Sequence, residues 1–229
     1  MSGDVVAVVL AGGSGTRFGA PVSKVYVDLG GRPVIAHSLA AFESHPDVDH
    51  VVLVVCAEDR GACAAVLADA ASTKVRAVVD GGATRQASEW AGIEAVTALD
   101  LDDPLVLLHD AARPLTTPDL VSGLIAAARD GAGAIPAVGV TDDLVDPVGR
   151  RVTTDDLVAV QTPQAFPLHV LRRTYPAAIA GGFDGVDTAQ TVDAFADVEI
   201  RWVASSAENL KITHPADLDR AEAILSARR

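Results

Sequence analysis

Two cations accompany a glycine-rich stretch near the start of the chain. Leu10-Ala11-Gly12-Gly13-Ser14-Gly15-Thr16-Arg17-Phe18-Gly19 contains Arg17, and Lys24 lies just beyond it. Glycine has no Cβ, so such a stretch turns tightly and brings backbone N–H groups against a ligand. Successive N–H groups form a nest for an anion, and Arg17 and Lys24 add the charge that suits a phosphate. The plainer reading is a strand-to-loop turn. Two known glycine loops do not fit. The dinucleotide fingerprint G-x-G-x-x-G matches Gly13 and Gly15 but meets Phe18 at its third glycine, and the P-loop needs Gly-Lys-Ser/Thr where Lys24 follows Ser23.

Four more stretches carry usable chemistry. In Asp80-Gly81-Gly82-Ala83-Thr84-Arg85-Gln86-Ala87-Ser88 the two glycines let the backbone approach a flat ligand, and Ser88 can reach a ring. The alternative for Ser88 is a local bond to the backbone. In His109-Asp110-Ala111-Ala112-Arg113-Pro114 the acid suits Mg2+, an ion that takes few carboxylates and completes its shell with waters and phosphate oxygens. Arg113 could instead hold Asp110 as an ion pair. His109 reads as structural, because attack by an ionised phosphate needs no proton abstraction. In Gln161-Thr162-Pro163-Gln164-Ala165-Phe166, Thr162 offers a hydroxyl to a second ligand. In Asn209-Leu210-Lys211-Ile212-Thr213, Lys211 has the reach to meet both ligands, though a lone lysine is usually a surface residue.

These stretches need elements to hold them. The apolar runs at 5–9 and 51–55 read as buried strands, and 75–79 and 105–108 as a third and a fourth strand. Between them the spacing predicts a helix with Ile35, Leu39 and Phe42 on one face, opened by the turn Gly30-Gly31-Arg32-Pro33. A short helix near 58–67, a helix over 85–96 and another from Thr117-Pro118-Asp119 to about 129 follow. Alternating strands and helices predict a mostly parallel sheet covered on both faces, with ligands at the carboxyl ends of its strands. The stretch 141–156 differs: it is rich in aspartate, carries the turn Pro147-Val148-Gly149, and reads as a projecting β-hairpin or as a solvated acidic loop. Strands at 157–160 and 198–203, helices at 168–175 and 187–195, and a last helix from His214-Pro215-Ala216-Asp217 with Leu218, Ala221 and Leu225 on one stripe complete the reading.

The 229 residues suit a single domain, and 49% hydrophobic content allows a large core. Cys56 and Cys63 make neither a CxxC pair nor a metal spacing and read as core thiols. No leader and no apolar run of about 18 residues is seen, so a cytoplasmic protein with no membrane association is expected. A net charge of −13 disfavours nucleic acid as partner. An anionic nucleotide must then find a local positive pocket, and two of the three lysines, Lys24 and Lys211, already stand in motifs.

The first loop resembles the L-A-G-G-x-G-x-R…K signature of nucleotidyltransferases that make activated sugars and alcohols. Joined in order, LAGGSGTRFG, DGGATRQAS, HDAARP, QTPQAF and NLKITHPADL resemble the 2-C-methyl-D-erythritol 4-phosphate cytidylyltransferase family, from about residue 5 to 225. The resemblance implies a Rossmann-like α/β nucleotidyltransferase domain over 1–229 with a protruding arm at 141–156. It implies Mg2+ dependence, transfer of a cytidylyl group from CTP with release of pyrophosphate, and a homodimer in which each arm completes the partner's site. By this likeness Ala11, Gly12, Gly13 and Gly15 bind CTP, and Gly82, Ala83 and Ser88 surround its cytosine and ribose. Asp110 binds Mg2+, Arg17 and Lys24 stabilise the α-phosphate, and Asp187 and Lys211 contact the acceptor. The chain also departs from the family. Ser23-Lys24-Val25 stands for Pro-Lys-Gln, Asp142-Asp143 for an Asp-Thr pair, and Thr154 for an arginine that grips the acceptor phosphate. Arg150 or Arg151 could replace that cation. Two alternatives share the motifs: transfer to another polyol phosphate such as ribitol 5-phosphate, and a CTP-binding paralogue without turnover.

Overall fold

A computed structural model describes residues 3–13, 23–141, 143–153 and 157–228. Gly15 and Arg17 of the first loop, and Asp142 and Thr154 of the arm, lie outside the described residues.

The predicted strand runs form one side of an eight-stranded sheet, with the third of them at its edge. β1 (Val5–Ala11) pairs in parallel with β4 (His50–Val55) and β6 (Leu105–Asp110), and β4 pairs in parallel with β5 (Val75–Asp80). β1, β5 and β6 each end in a stretch singled out above, so the sheet delivers those stretches to one edge. Beyond β6 lie β11 (Gln164–Pro167), β7 (Gly133–Gly139), β10 (Val158–Val160) and β12 (Ile200–Ala204). β11 runs antiparallel to β6 and β7, β10 runs antiparallel to β7, and β12 runs parallel to β7. The sheet is thus mostly parallel, as expected, with two antiparallel strands on one side.

Alternation along β1 sends side chains to two cores. Ala7 and Val9 pack with Leu53 and Leu107 against α1 (Val34–Glu43) and α4 (Pro118–Ala128). Val6 and Val8 pack with Val52 and Val106 against α3 (Arg85–Thr97) and α5 (Leu168–Ala180). Ile35, Leu39 and Phe42 form the inner face of α1 and are fully buried. Burying side chains of this kind stabilises by roughly 1.5–3 kcal/mol each. These two apolar layers fix the sheet edge on which the site stands.

Helix starts follow their caps. Thr84 and Thr117 accept from the backbone N–H of Ala87 and Leu120, starting α3 and α4. Asp217 accepts from the N–H of Thr213 and His214, starting α7 (Pro215–Ala227). Its Leu218, Ala221 and Leu225 pack as the predicted stripe. Pro33 sits before α1 rather than in its first turn, because β2 (Asp28–Leu29) and β3 (Arg32–Pro33) pair around Gly30-Gly31. The short helix near 58–67 is α2 (Arg60–Asp69) preceded by a 3-10 turn. α6 (Thr188–Phe195) is capped by Asp187.

The arm is a hairpin. β8 (Leu144–Val145) pairs antiparallel with β9 (Arg151–Val152). Asp146 closes it, accepting from the N–H of Val148 and Arg150, while Gly149 takes a positive φ of 84°. Pairing across the turn excludes the solvated-loop reading for these residues.

Candidate active site

At the carboxyl ends of β1, β5 and β6 the chain leaves an open pocket of about 620 Å³. One wall is the backbone of Ala11, Gly12 and Gly13; the other is Gly82, Ala83 and Ser88. One of these glycines is a steric necessity: a Cβ on Gly82 would collide with the Ala87 side chain, whereas one on Gly12 would stand 3.3 Å from Ser88 Oγ, a tight contact that a small shift of the hydroxyl relieves. The seam between the loops is closed by side chains: Cys56 Sγ donates to the Gly12 carbonyl at 3.1 Å, and Ser88 Oγ accepts from the Gly82 N–H at 3.1 Å. Ser88 also donates to the Thr84 carbonyl. It lines the pocket and is a local backbone partner at the same time.

Charge gathers across from these walls. Lys24, at the start of a 3-10 turn over Lys24–Tyr26, lines the pocket, as do Asp110 and Lys211. Asp110 ends β6 with its carboxylate held from both sides: Oδ1 accepts from Arg85 Nη1 at 2.6 Å, and Oδ2 from Lys211 Nζ at 2.7 Å. Burial alone would push this carboxyl up; Arg85 and then Lys211 outweigh it and hold it well below the usual carboxylate range. Asp110 is therefore an anion at any ordinary pH. No cluster of three or more metal-ligating side chains exists among the described residues. One ionised carboxylate on the pocket wall is a donor that suits Mg2+, which is bound through one or two carboxylates plus substrate phosphates.

The neighbours of Asp110 are fixed in turn. Its N–H donates to Thr162 Oγ1 at 3.1 Å, and Thr162 Oγ1 lies 3.3 Å from His109 Nδ1. His109 Nε2 meets the Arg113 carbonyl at 3.1 Å. That carbonyl can only accept, so Nε2 carries the proton, Nδ1 accepts from Thr162, and every group is satisfied. Burial pushes the His109 imidazole down to about 3, which keeps it neutral, in line with a structural role. Its ring also meets Phe42 edge-on at 5.1 Å.

Several expectations change place. The Thr162 hydroxyl is occupied inside this chain of bonds and buried, so Thr162 orients Asp110 rather than facing the cavity. Asp187 does not line the pocket. Its carboxylate caps α6 through the Gln190 N–H and accepts from Gln164 Nε2, placing the exposed Val186 at the rim instead. Arg113 does not hold Asp110; its Nη1 donates to the Asn209 carbonyl at 2.7 Å. The loop carrying Lys211 is anchored there, with Asn209 Nδ2 donating to Gln161 Oε1 and the Thr162 carbonyl. The partner of Asp110 that the sequence reading missed is Arg85. Its spacing to Glu89, a helical i,i+4 pair, was the available signal.

On the arm, Arg150 pairs with Asp146 at 2.8 Å and Arg151 with Asp143 at 3.0 Å. Both arginines are exposed, so solvent screens these pairs and they hold the side chains only weakly. Either cation can be drawn off by a stronger anion.

A mostly parallel sheet with a glycine-walled pocket at its strand ends, and cations converging on one acid, is the architecture of a nucleotidyltransferase. The chain belongs to the IspD family, 2-C-methyl-D-erythritol 4-phosphate cytidylyltransferase, whose model matches residues 5–227. The enzyme of that name from Cereibacter sphaeroides is 40% identical over 224 residues, covering 96% of each chain. That from Symbiobacterium thermophilum is 39% identical over 226 residues, covering 96% of this chain and 92% of the other. Among solved structures, 4-diphosphocytidyl-2C-methyl-D-erythritol synthase from Anaerococcus prevotii superposes with a TM-score of 0.84 at 28% identity, covering 98% of this chain and 97% of the other. The cytidylyltransferase from Thermus thermophilus gives 0.76 at 31% identity, covering 96% and 98%.

Proposed function

We propose that the pocket takes CTP with Mg2+, and that the chain transfers its cytidylyl group to 2-C-methyl-D-erythritol 4-phosphate. A phosphate oxygen of the acceptor attacks the α-phosphorus of CTP, the bond from that phosphorus to the bridging oxygen breaks, and pyrophosphate leaves with the electron pair. Charge, not proton transfer, is the obstacle: two anions must meet, and negative charge shifts toward the leaving group. Lys24, with Arg17 from the same loop, offsets the charge on the α-phosphate. Lys211, freed from Asp110 by the incoming anion, faces both substrates. Asp110 holds Mg2+, which supplies further positive charge to the phosphate oxygens. Gly12, Gly13 and Gly15 give backbone N–H groups to the triphosphate; Gly82, Ala83 and Ser88 meet the base and sugar. The neutral, bonded His109 agrees with a reaction that needs no base.

The observation that carries this reading is Asp110, ionised and gripped by Arg85 and Lys211 in a cavity walled by glycine backbone. The relatives described above carry the methylerythritol phosphate name, and none supports transfer to another polyol phosphate or loss of turnover. The exposed Val145, Val148, Leu144 and Val152 of the arm, beside Arg150 and Arg151, support a homodimer in which the arm reaches the partner's acceptor site. No helix among the described residues is long and apolar enough to cross a membrane. Pyrophosphate release from CTP, Mg2+ and 2-C-methyl-D-erythritol 4-phosphate tests the reading. Turnover with this acceptor and not with ribitol 5-phosphate is expected; turnover only with the latter, or none at millimolar acceptor, refutes it.

A further inference from the structure

The buried acid Glu89 has no place in the reaction as described. It lies on the inner face of α3, one turn before Ile93, and is fully buried. Buried ion pairs add little to stability, because desolvation offsets the attraction, and apolar residues of similar volume commonly do as well. Its partners point elsewhere. Oε1 accepts from Arg85 Nε at 2.9 Å and from Thr188 Oγ1 at 3.0 Å; Oε2 accepts from Tyr175 OH at 2.7 Å. Tyr175 is itself stacked on Trp90 at 6.2 Å. Arg85 continues the chain to Asp110. Its second guanidinium nitrogen, Nη2, is shielded from solvent and makes no hydrogen bond among the described residues. The guanidinium is therefore placed by its two carboxyl partners rather than by filling its donors.

We propose that Glu89 is a positioning residue: it clamps Arg85 so that one guanidinium nitrogen orients Asp110, and through Thr188 it ties that carboxylate to the first residue of α6. Thr188 directly follows Val186-Asp187, so the clamp joins the rim of the pocket to its acid. The inference rests on the reading that Asp110 acts in cytidylyl transfer. With the clamp removed, Arg85 is free to leave Asp110, and the acid then presents its oxygens to Lys211 and Mg2+ in more than one orientation. Orientation of this kind is realised in the transition state, so its loss falls on kcat rather than on nucleotide affinity.

Glu89→Leu removes the clamp at similar volume, and Glu89→Gln keeps an acceptor for Arg85 without the charge. Tyr175→Phe is the control, because it disturbs the same core and leaves the Arg85–Glu89 pair intact. In turnover of CTP and methylerythritol phosphate at saturating Mg2+, kcat is expected to fall about 10- to 100-fold in Glu89→Leu and less in Glu89→Gln. The KM for CTP should stay within about threefold, and Tyr175→Phe should keep kcat within about twofold whatever its Tm. A crystal structure of the free Glu89→Leu or Glu89→Gln protein should show the Arg85 guanidinium off hydrogen-bond distance, beyond about 3.5 Å, from Asp110. Arg85 unmoved in both variants, kcat unchanged in both, or an equal kcat loss in Tyr175→Phe overturns the proposal. Wild-type protein that shows no turnover defeats the functional reading instead; the position of Arg85 still decides the clamp.

Discussion

Asp110 and Lys211, central to the proposed reaction, are paired at 2.7 Å. On that proposal the substrate breaks this pair, and the lysine is held next to where it would act. Removing one charged donor from a preorganised site costs about 10²–10³ in kcat. Lys211→Ala and Lys24→Ala are each expected to lose turnover on that scale in the pyrophosphate assay; a loss confined to KM would assign them to binding alone. His109 is the counterexample to reading chemistry from residue type. Its ring has both nitrogens bonded and lies in the core, and burial holds it near 3. An NMR titration should show no movement of its imidazole signals between pH 8 and pH 5; a midpoint near the ordinary value of about 6.5 contradicts the assignment. At this scale the glycines, Lys24, Asp110 and Lys211 were legible because they recur after strand ends. Arg85 and Glu89 were not, since an i,i+4 pair of opposite charge looks like an exposed helix face until the tertiary fold buries it.

Among the elements, β1, β4 and β6 could be read directly from sequence because strands buried on both faces are continuous apolar runs, while β5, an edge strand carrying Arg76, is only partly buried and shows a weaker run. β7 and β11 could not. Pro136 interrupts one, Gln164 and Pro167 bracket the other, and their antiparallel pairing leaves no helix between them to mark a crossover. The α3 start must clear the loop before it, and Gly82 is what allows this. Gly82→Ala should push the Ala87 turn away, costing about 1–3 kcal/mol by overpacking. Calorimetry should record weaker CTP binding together with a lower Tm. The arm pairs only with itself among the described strands, so the body does not depend on it. Replacing 144–152 by a short Gly-Ser turn is expected to leave the Tm of the body within a few degrees and to turn a dimer into a monomer in light scattering. An unchanged dimer would remove the arm from the interface.

Over the whole molecule, the net charge of −13 works against any nucleotide that approaches, whereas the pocket lining carries Lys24, Arg85 and Lys211 against the single carboxylate of Asp110. Burying His109 also has a global consequence. The folded value is about 3 and the unfolded value about 6.5. Between these the unfolded chain binds more protons, so stability is full above 6.5 and is lost as pH falls toward 3, by at most about 1.4 kcal/mol per pH unit from this group. A melt at pH 5 should therefore give a lower Tm than one at pH 7. All of the proposed chemistry requires that cations which rest on Asp110, or stand opposite it, converge on a triphosphate in the glycine-walled pocket. A crystal structure with CTP and Mg2+ decides the point. The triphosphate is expected between the 11–13 backbone and Lys24, the base against Gly82 and Ser88, and Mg2+ on Asp110. A triphosphate bound elsewhere, or one in the pocket with Lys24 and Lys211 both turned to solvent, contradicts it.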